Sequence, residues 1–194
     1  MKRGLKLPVI LTFIFLASYL IYFLAIGNYE FTSYILITAI VFYALIKLDK
    51  IYNFPLYSIW LFVGWVVLHM LGGSIIIDNQ GSRLYAWQIF NWVGDPYYLL
   101  KYDQIVHAYC YIVISILIFF ALKKHFKNNQ TNALVVFTIL ASIGIGMLNE
   151  VIEFAMVVFA DASKGVGGYY NTALDIVFNL IGAIIGALFA KKNS

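Results

Sequence analysis

Apolar runs recur along the whole chain, separated by short polar breaks, and each is long enough to cross a bilayer. A membrane-spanning helix needs about 20 apolar residues, and runs of about 18 or more repeat here. They extend from Pro8 to Gly27, Phe31 to Leu48, Pro55 to Gly73, Tyr102 to Leu122, Thr131 to Ala160 and Thr172 to Ala190. The connections are short apart from the segment between Ser74 and Lys101. The pattern predicts an all-α fold: a polytopic membrane bundle of about six helices, residues 1–194 forming a single transmembrane domain. The basic start, Met1-Lys-Arg-Gly-Leu-Lys, resembles the head of a secretory signal. The apolar run behind it is too long for a signal core and lacks a clear small-residue cleavage site, so it reads as an uncleaved span.

Composition agrees with the spans. Only 11% of the residues are charged, against about 25% in a soluble domain whose surface must be solvated. A mean hydropathy of +0.87 points the same way. The single cysteine, Cys110, lies in an apolar run and reads as a packing residue; alone it builds neither a disulfide framework nor a cysteine zinc cluster. No internal repeat or low-complexity tail is visible. The net charge of +4 does not indicate nucleic acid, because the basic residues are dispersed over short loops.

Those basic residues set an orientation. Lys2, Arg3, Lys6, Lys47, Lys50, Lys123, Lys124, Lys127, Lys191 and Lys192 fall on one side of a six-span arrangement, and only Arg83, Lys101 and Lys164 on the other. The positive-inside bias then places both termini in the cytoplasm. His125 belongs to the same basic loops and reads as a solvated residue. The long outer connection carries Tyr85, Trp87, Phe90, Trp92, Tyr97 and Tyr98, rings that favour the headgroup zone and anchor the segment along the interface. The loop from Asp161 to Gly168 is glycine-rich and lies on the same side. Either segment has the length to cover a site.

Against this background the ionisable residues inside the spans stand out: His69, Asp103, His107, Glu150, Glu153 and Asp175, with Asn149 and Asn179. Charge in a bilayer is costly, so such residues face the protein interior and mark function by default. At about 1.5 Å of rise per residue, they lie within roughly 6–15 Å of the outer ends of their helices. Asp103 and His107 are one turn apart, as are Glu150 and Glu153. On the sixth span Asp175, Asn179, Gly182 and Gly186 share a stripe, as do Ser142, Gly146, Glu150 and Glu153 on the fifth. Small residues allow close backbone approach. The expectation is an antiparallel fifth–sixth pair, tight at the inner end and opening outwards into a polar pocket.

The pocket's donor set suits a divalent metal. Carboxylates crowded in a low dielectric repel unless protonated or offset by a cation. Two histidines with several carboxylates fit zinc, manganese or iron, and helical bundles build such sites from facing helices. His69, Asp103, His107 and Asp175 are the candidate metal ligands. Glu150 and Glu153, deeper in the membrane, suit acid–base catalysis, while Asn149 and Asn179 suit substrate orientation. The bland alternative is a proton-sharing hydrogen-bond network that holds the helices together and binds nothing.

Taken in order, Tyr102-Asp-Gln-Ile-Val-His107, Glu150-Val-Ile-Glu153 and Asp175-Ile-Val-Phe-Asn179-Leu-Ile-Gly182 resemble the pattern of VanZ-like membrane proteins. His69-Met-Leu-Gly-Gly73 makes the set more similar to the YjdF-like group, which tends to be acidic near the position of Asn171. The VanZ-like pattern tends to have Gln where this chain has Glu153. The resemblance implies a multi-pass protein of the prokaryotic plasma membrane, connected with envelope or lipid-linked chemistry.

Three functions fit these residues. The first is a metal-dependent hydrolase or transferase acting on a lipid or lipid-linked substrate at the outer leaflet, the cation polarising a carbonyl or phosphoryl group or activating water. The second is a non-catalytic protein that binds or shields a lipid or an antibiotic. The third is an ion- or proton-coupled transporter, which the one-sided pocket and lack of repeats disfavour. All take membrane lipids or lipid-linked molecules as partners. The orientation is directly testable: a C-terminal fluorescent-protein fusion should be bright and a C-terminal alkaline phosphatase fusion silent. An active phosphatase at that position would invert the arrangement.

Overall fold

The structure is a computed structural model that describes residues 4–90, 93–95, 97–126, 131–160 and 168–194. Lys2, Arg3, Trp92, Lys127 and Lys164, and the loop from Asp161 to Gly167, lie outside the described residues. Within them are six helices long and apolar enough to cross a membrane, and no strand beyond two isolated bridges. They are α1 (Lys6–Ala25), α2 (Tyr29–Tyr52), α3 (Leu56–Ser74), α4 (Tyr102–Lys123), α5 (Thr131–Ala160) and α6 (Tyr169–Lys192). The chain divides into two compact units, Met1–Ser74 and Ile75–Ser194.

The first unit holds α1–α3 around an aromatic seam. Phe23 stacks near Phe31 at 5.0 Å, and Phe42 lies parallel to Phe62 at 5.6 Å. Phe31 is admitted by Gly73, where a Cβ would sit 1.9 Å from its ring. Helix α2 is longer than its apolar run. Asn28 caps it by accepting the amide of Phe31, and it continues to Tyr52 before Asn53 ends it in the left-handed conformation (φ 57°). Asp49 therefore falls inside the helix and is only 3% exposed. A cap at Asn53 outweighs the polar residues of the last turn.

The second unit holds the long connection and α4–α6. Its closest pairing is α4 with α6, and the reason is visible in two glycines. A Cβ on Gly182 would lie 2.1 Å from the carbonyl oxygen of Ala108, and one on Gly186 would lie 2.4 Å from that of Ile112. Only bare backbone fits there. The register advances the same way on both helices, so α4 and α6 run parallel, with Ser115 donating to the Ala183 carbonyl at 2.8 Å. Helix α5 runs the other way beside them, Gly146 facing Tyr111 and Asn179.

The expected tight fifth–sixth pair is thus corrected. The glycine stripe of α6 lies on α4, because Ala108 and Ile112 present backbone to it. On α5 Gly144 faces open space, and the Ser142 hydroxyl returns to its own helix at the Thr138 carbonyl, 2.8 Å away. Two substitutions separate these roles. Gly182→Ala should destabilise by about 1–3 kcal/mol through overpacking. Gly144→Ala should be neutral or slightly stabilising, since alanine is the better helix former. Thermal unfolding of both variants in detergent is the check, and equal stability would refute the packing assignment.

Candidate metal centre

Three helices of the second unit bring their polar side chains to one end. Parallel packing of α6 on α4 sets Asn171, Asp175 and Asn179 beside Asp103 and His107, and antiparallel α5 adds Asn149, Glu150 and Glu153. His107 is central. Its Nδ1 lies 3.1 Å from Asn179 Oδ1. Its Nε2 lies 3.5 Å from Asp103 Oδ1 and 3.8 Å from Glu153 Oε1. With Asn179 as acceptor, Nδ1 carries the proton, and the Nε2 lone pair faces two carboxylates.

Both Nε2 separations are too long for good hydrogen bonds, and the one to Asp103 is close to that of two ligands sharing a cation. Two donors each about 2.0–2.1 Å from a tetrahedral metal stand about 3.3–3.4 Å apart. Ligand atoms of Asp103, His107 and Asp175 all lie within 4.8 Å of one another, as do those of Glu150, Glu153 and Asp175. Asp175 belongs to both groups and is fully buried. Its Oδ2 accepts from Asn171 Nδ2 at 2.6 Å, while its Oδ1 has no hydrogen-bond partner among the described residues. Glu150 is 8% exposed, and neither of its carboxylate oxygens has a partner among those residues. A cation there would satisfy what the hydrogen bonds leave open.

The asparagines act as holders. Asn149 Nδ2 donates to Glu153 Oε1 at 2.8 Å, and Asn179 fixes His107, the outer-shell arrangement typical of metal ligands. His69 belongs to the first unit, where it stacks on Trp65 at 5.2 Å, with Tyr34 and Phe31 also against it. Neither group of ligand atoms includes it.

Two residues of this site escape a reading of the sequence. Asn171 donates to both Asp103 Oδ2 and Asp175 Oδ2 and accepts from the Lys101 ammonium, linking a cation to two carboxylates across α4 and α6. The signal was there: Asn171 is one turn before Asp175 on the same stripe, but the apolar run begins only at Thr172. Gln104 carried no such signal, standing off the stripe beside Asp103. It is completely buried, its Oε1 accepting the amides of Leu100 and Lys101 and its Nε2 donating to the Tyr98 carbonyl.

The connection leading into α4 is itself ordered by polar contacts. Asp78 Oδ1 accepts the amides of Gln80 and Ser82, and the hydrogen bonds from Ser82 hold its carboxyl below the usual range. Tyr98 donates to Asp95, and that hydrogen bond, together with the neighbouring charge, raises its phenol above the ordinary value. Tyr98 and Leu100 both take positive φ, 48° and 64°, which is costly for bulky residues. Gln104 binds the backbone of each. The ring of Tyr97 meets that of Tyr170 at 4.9 Å, so the connection reaches the first turn of α6 as well.

Six apolar helices and an ionisable cluster within the second unit define a polytopic α-helical membrane protein with an internal polar site. The chain belongs to the family described as predicted membrane protein (DUF2238), which it matches over residues 7–193. That assignment is consistent with the YjdF-like resemblance and does not extend to the VanZ-like one. Neither a curated protein nor a solved structure matches the chain.

Removing the Gln104 clamp tests how the connection is held. Gln104→Leu removes hydrogen bonds from part-buried backbone groups, at a cost of about 0.5–1.5 kcal/mol each. Amide exchange at Leu100 and Lys101 should accelerate, while exchange in the middle of α4 should not. Unchanged protection at both amides would show that Gln104 is not what orders them.

Proposed function

We propose that this protein is a multi-pass protein of the prokaryotic plasma membrane, both termini cytoplasmic, that binds a divalent cation through Asp103, His107 and Asp175. The observation that carries the reading is the His107 ring. One nitrogen is engaged by Asn179, and the other faces Asp103 at a separation close to that of two ligands sharing a cation. The free Oδ1 of fully buried Asp175 supports it. One imidazole and two carboxylates fit zinc, manganese or iron.

The chemistry we infer is hydrolysis or group transfer on a lipid or lipid-linked substrate at the outer leaflet. A bound cation would supply Lewis acidity, polarising a carbonyl or phosphoryl oxygen or activating water. The protein's own groups do the rest. Glu153, held by Asn149, and Glu150 would be the carboxylates that take up or return a proton. Asn171 and Asn179 hold the ligands in place. The likeness of the α4–α6 residues to VanZ-like proteins favours an envelope substrate.

Metal analysis and thermal unfolding of the purified protein test this. Zinc or manganese at about 100 times its Kd should stabilise the fold by about 2.7 kcal/mol. His107→Ala and Asp175→Asn should each weaken binding at least tenfold. Lipid extracts from cells overproducing the wild type should contain altered species that the His107→Ala variant does not generate. Absence of both bound metal and thermal shift would overturn the metal reading. Bound metal with unaltered lipids would overturn the enzymatic part and leave a binding role.

A further inference from the structure

The three-helix unit contains more ligand capacity than one cation uses. Asp103, His107 and Asp175 complete one set of donors, and Glu150 and Glu153 remain on α5 with a common neighbour in Asp175. From this juxtaposition we propose a second divalent cation site formed by Glu150, Glu153 and Asp175, with the Asp175 carboxylate bridging the two ions. The inference rests on the first-site reading and extends it from one metal to a dinuclear centre, in which Glu150 and Glu153 serve as ligands in place of the proton-transfer role given to them with one ion.

Two independent observations support it. The ligand atoms of the second set lie within 4.8 Å of one another, as in the first, and the sets meet only at Asp175. Separately, Glu150 is more than nine-tenths buried, yet neither of its oxygens has a hydrogen-bond partner among the described residues. A buried carboxylate with both oxygens unmet is a costly arrangement unless something polar occupies the space it faces. On α4 and α6 Asn171 bonds Asp103 and Asp175, and Asn179 bonds His107; on α5 Asn149 bonds Glu153.

Charge points the same way. Ionised, the four carboxylates outweigh Lys101 and a single divalent cation by one. A second cation reverses the sign, which suits an incoming anionic oxygen such as a phosphoryl or carboxylate group. The donors also differ in kind. The first set includes an imidazole, whereas the second is all oxygen and favours a hard ion such as manganese or magnesium. Ions sharing a carboxylate in two-metal sites stand about 3.5–4 Å apart, a spacing one bridging aspartate provides.

Manganese alone is the probe, because it suits both donor sets and is visible by electron paramagnetic resonance. The full-length chain, purified in detergent and freed of metal by chelation, is titrated with manganese, and metal per chain is counted after desalting. The wild type should retain two ions and show an exchange-coupled spectrum. The Glu150→Gln/Glu153→Gln double variant should retain one ion with the six-line signal of isolated manganese. One ion per wild-type chain with the isolated signal would overturn the second site and leave the first standing. No retained ion would overturn both. Two ions in the double variant would also refute the assignment, since the second would then bind elsewhere. The spectrum of the wild type decides the question even if the double variant does not fold.

Discussion

The contact between the backbone of α4 and that of α6 governs the second unit. At Gly182 and Gly186 there is no room for a side chain against the carbonyls of Ala108 and Ile112. Helices that approach so closely cannot slide by a residue without driving larger side chains into the same space. The register is therefore set by two glycines, and the polar residues about one to three turns away inherit it. Asn179 meets His107, and Asn171 meets Asp103, because Gly182 meets Ala108. Helix α5 is held less tightly, with Gly144 facing outward.

The polar cluster follows a consistent logic of orientation. Each asparagine spends its carbonyl oxygen or its amide on a neighbour that needs that particular partner. Asn171 uses both ends, accepting a hydrogen bond from the Lys101 ammonium and donating two to carboxylates. The ammonium thereby acts on the acidic groups through an amide, at the rim of the unit where its own desolvation is cheap. Among the described residues, the carboxylate oxygens of Glu150 and the Oδ1 of Asp175 are left without a hydrogen bond.

Much of this architecture was legible in the residues. Span number follows from apolar length, and the starts of α4 and α5 coincide with the predicted ones because Tyr102 and Thr131 mark sharp changes in polarity. The boundaries of α2 and α6 differed: Asn28 and Asn53 extend α2 by capping, which hydropathy does not register, and α6 begins at Tyr169, before the apolar run. For the site, i, i+4 spacing identified Asp103 with His107 and Asp175 with Asn179. Partner choice between helices was not legible. Gly182 and Gly186 announce a close approach but not its target, which depends on where Ala108 and Ile112 bring their carbonyls. His69 shows the same limit: its depth resembled that of the others, yet its immediate neighbours are Trp65, Tyr34 and Phe31.

Helix α5 is the longest, at 30 residues against 22 for α4 and 24 for α6. It rises about 45 Å, whereas the hydrocarbon core is about 30 Å thick. Three helices of such unequal length, packed side by side, do not match one bilayer thickness, and tilt or projection has to absorb the surplus. The surplus belongs to the helix that carries Glu150 and Glu153. The acyl-chain length of the surrounding lipid thus bears on how two of the carboxylates stand against His107, making hydrophobic thickness a physical variable of the site alongside its amino acids.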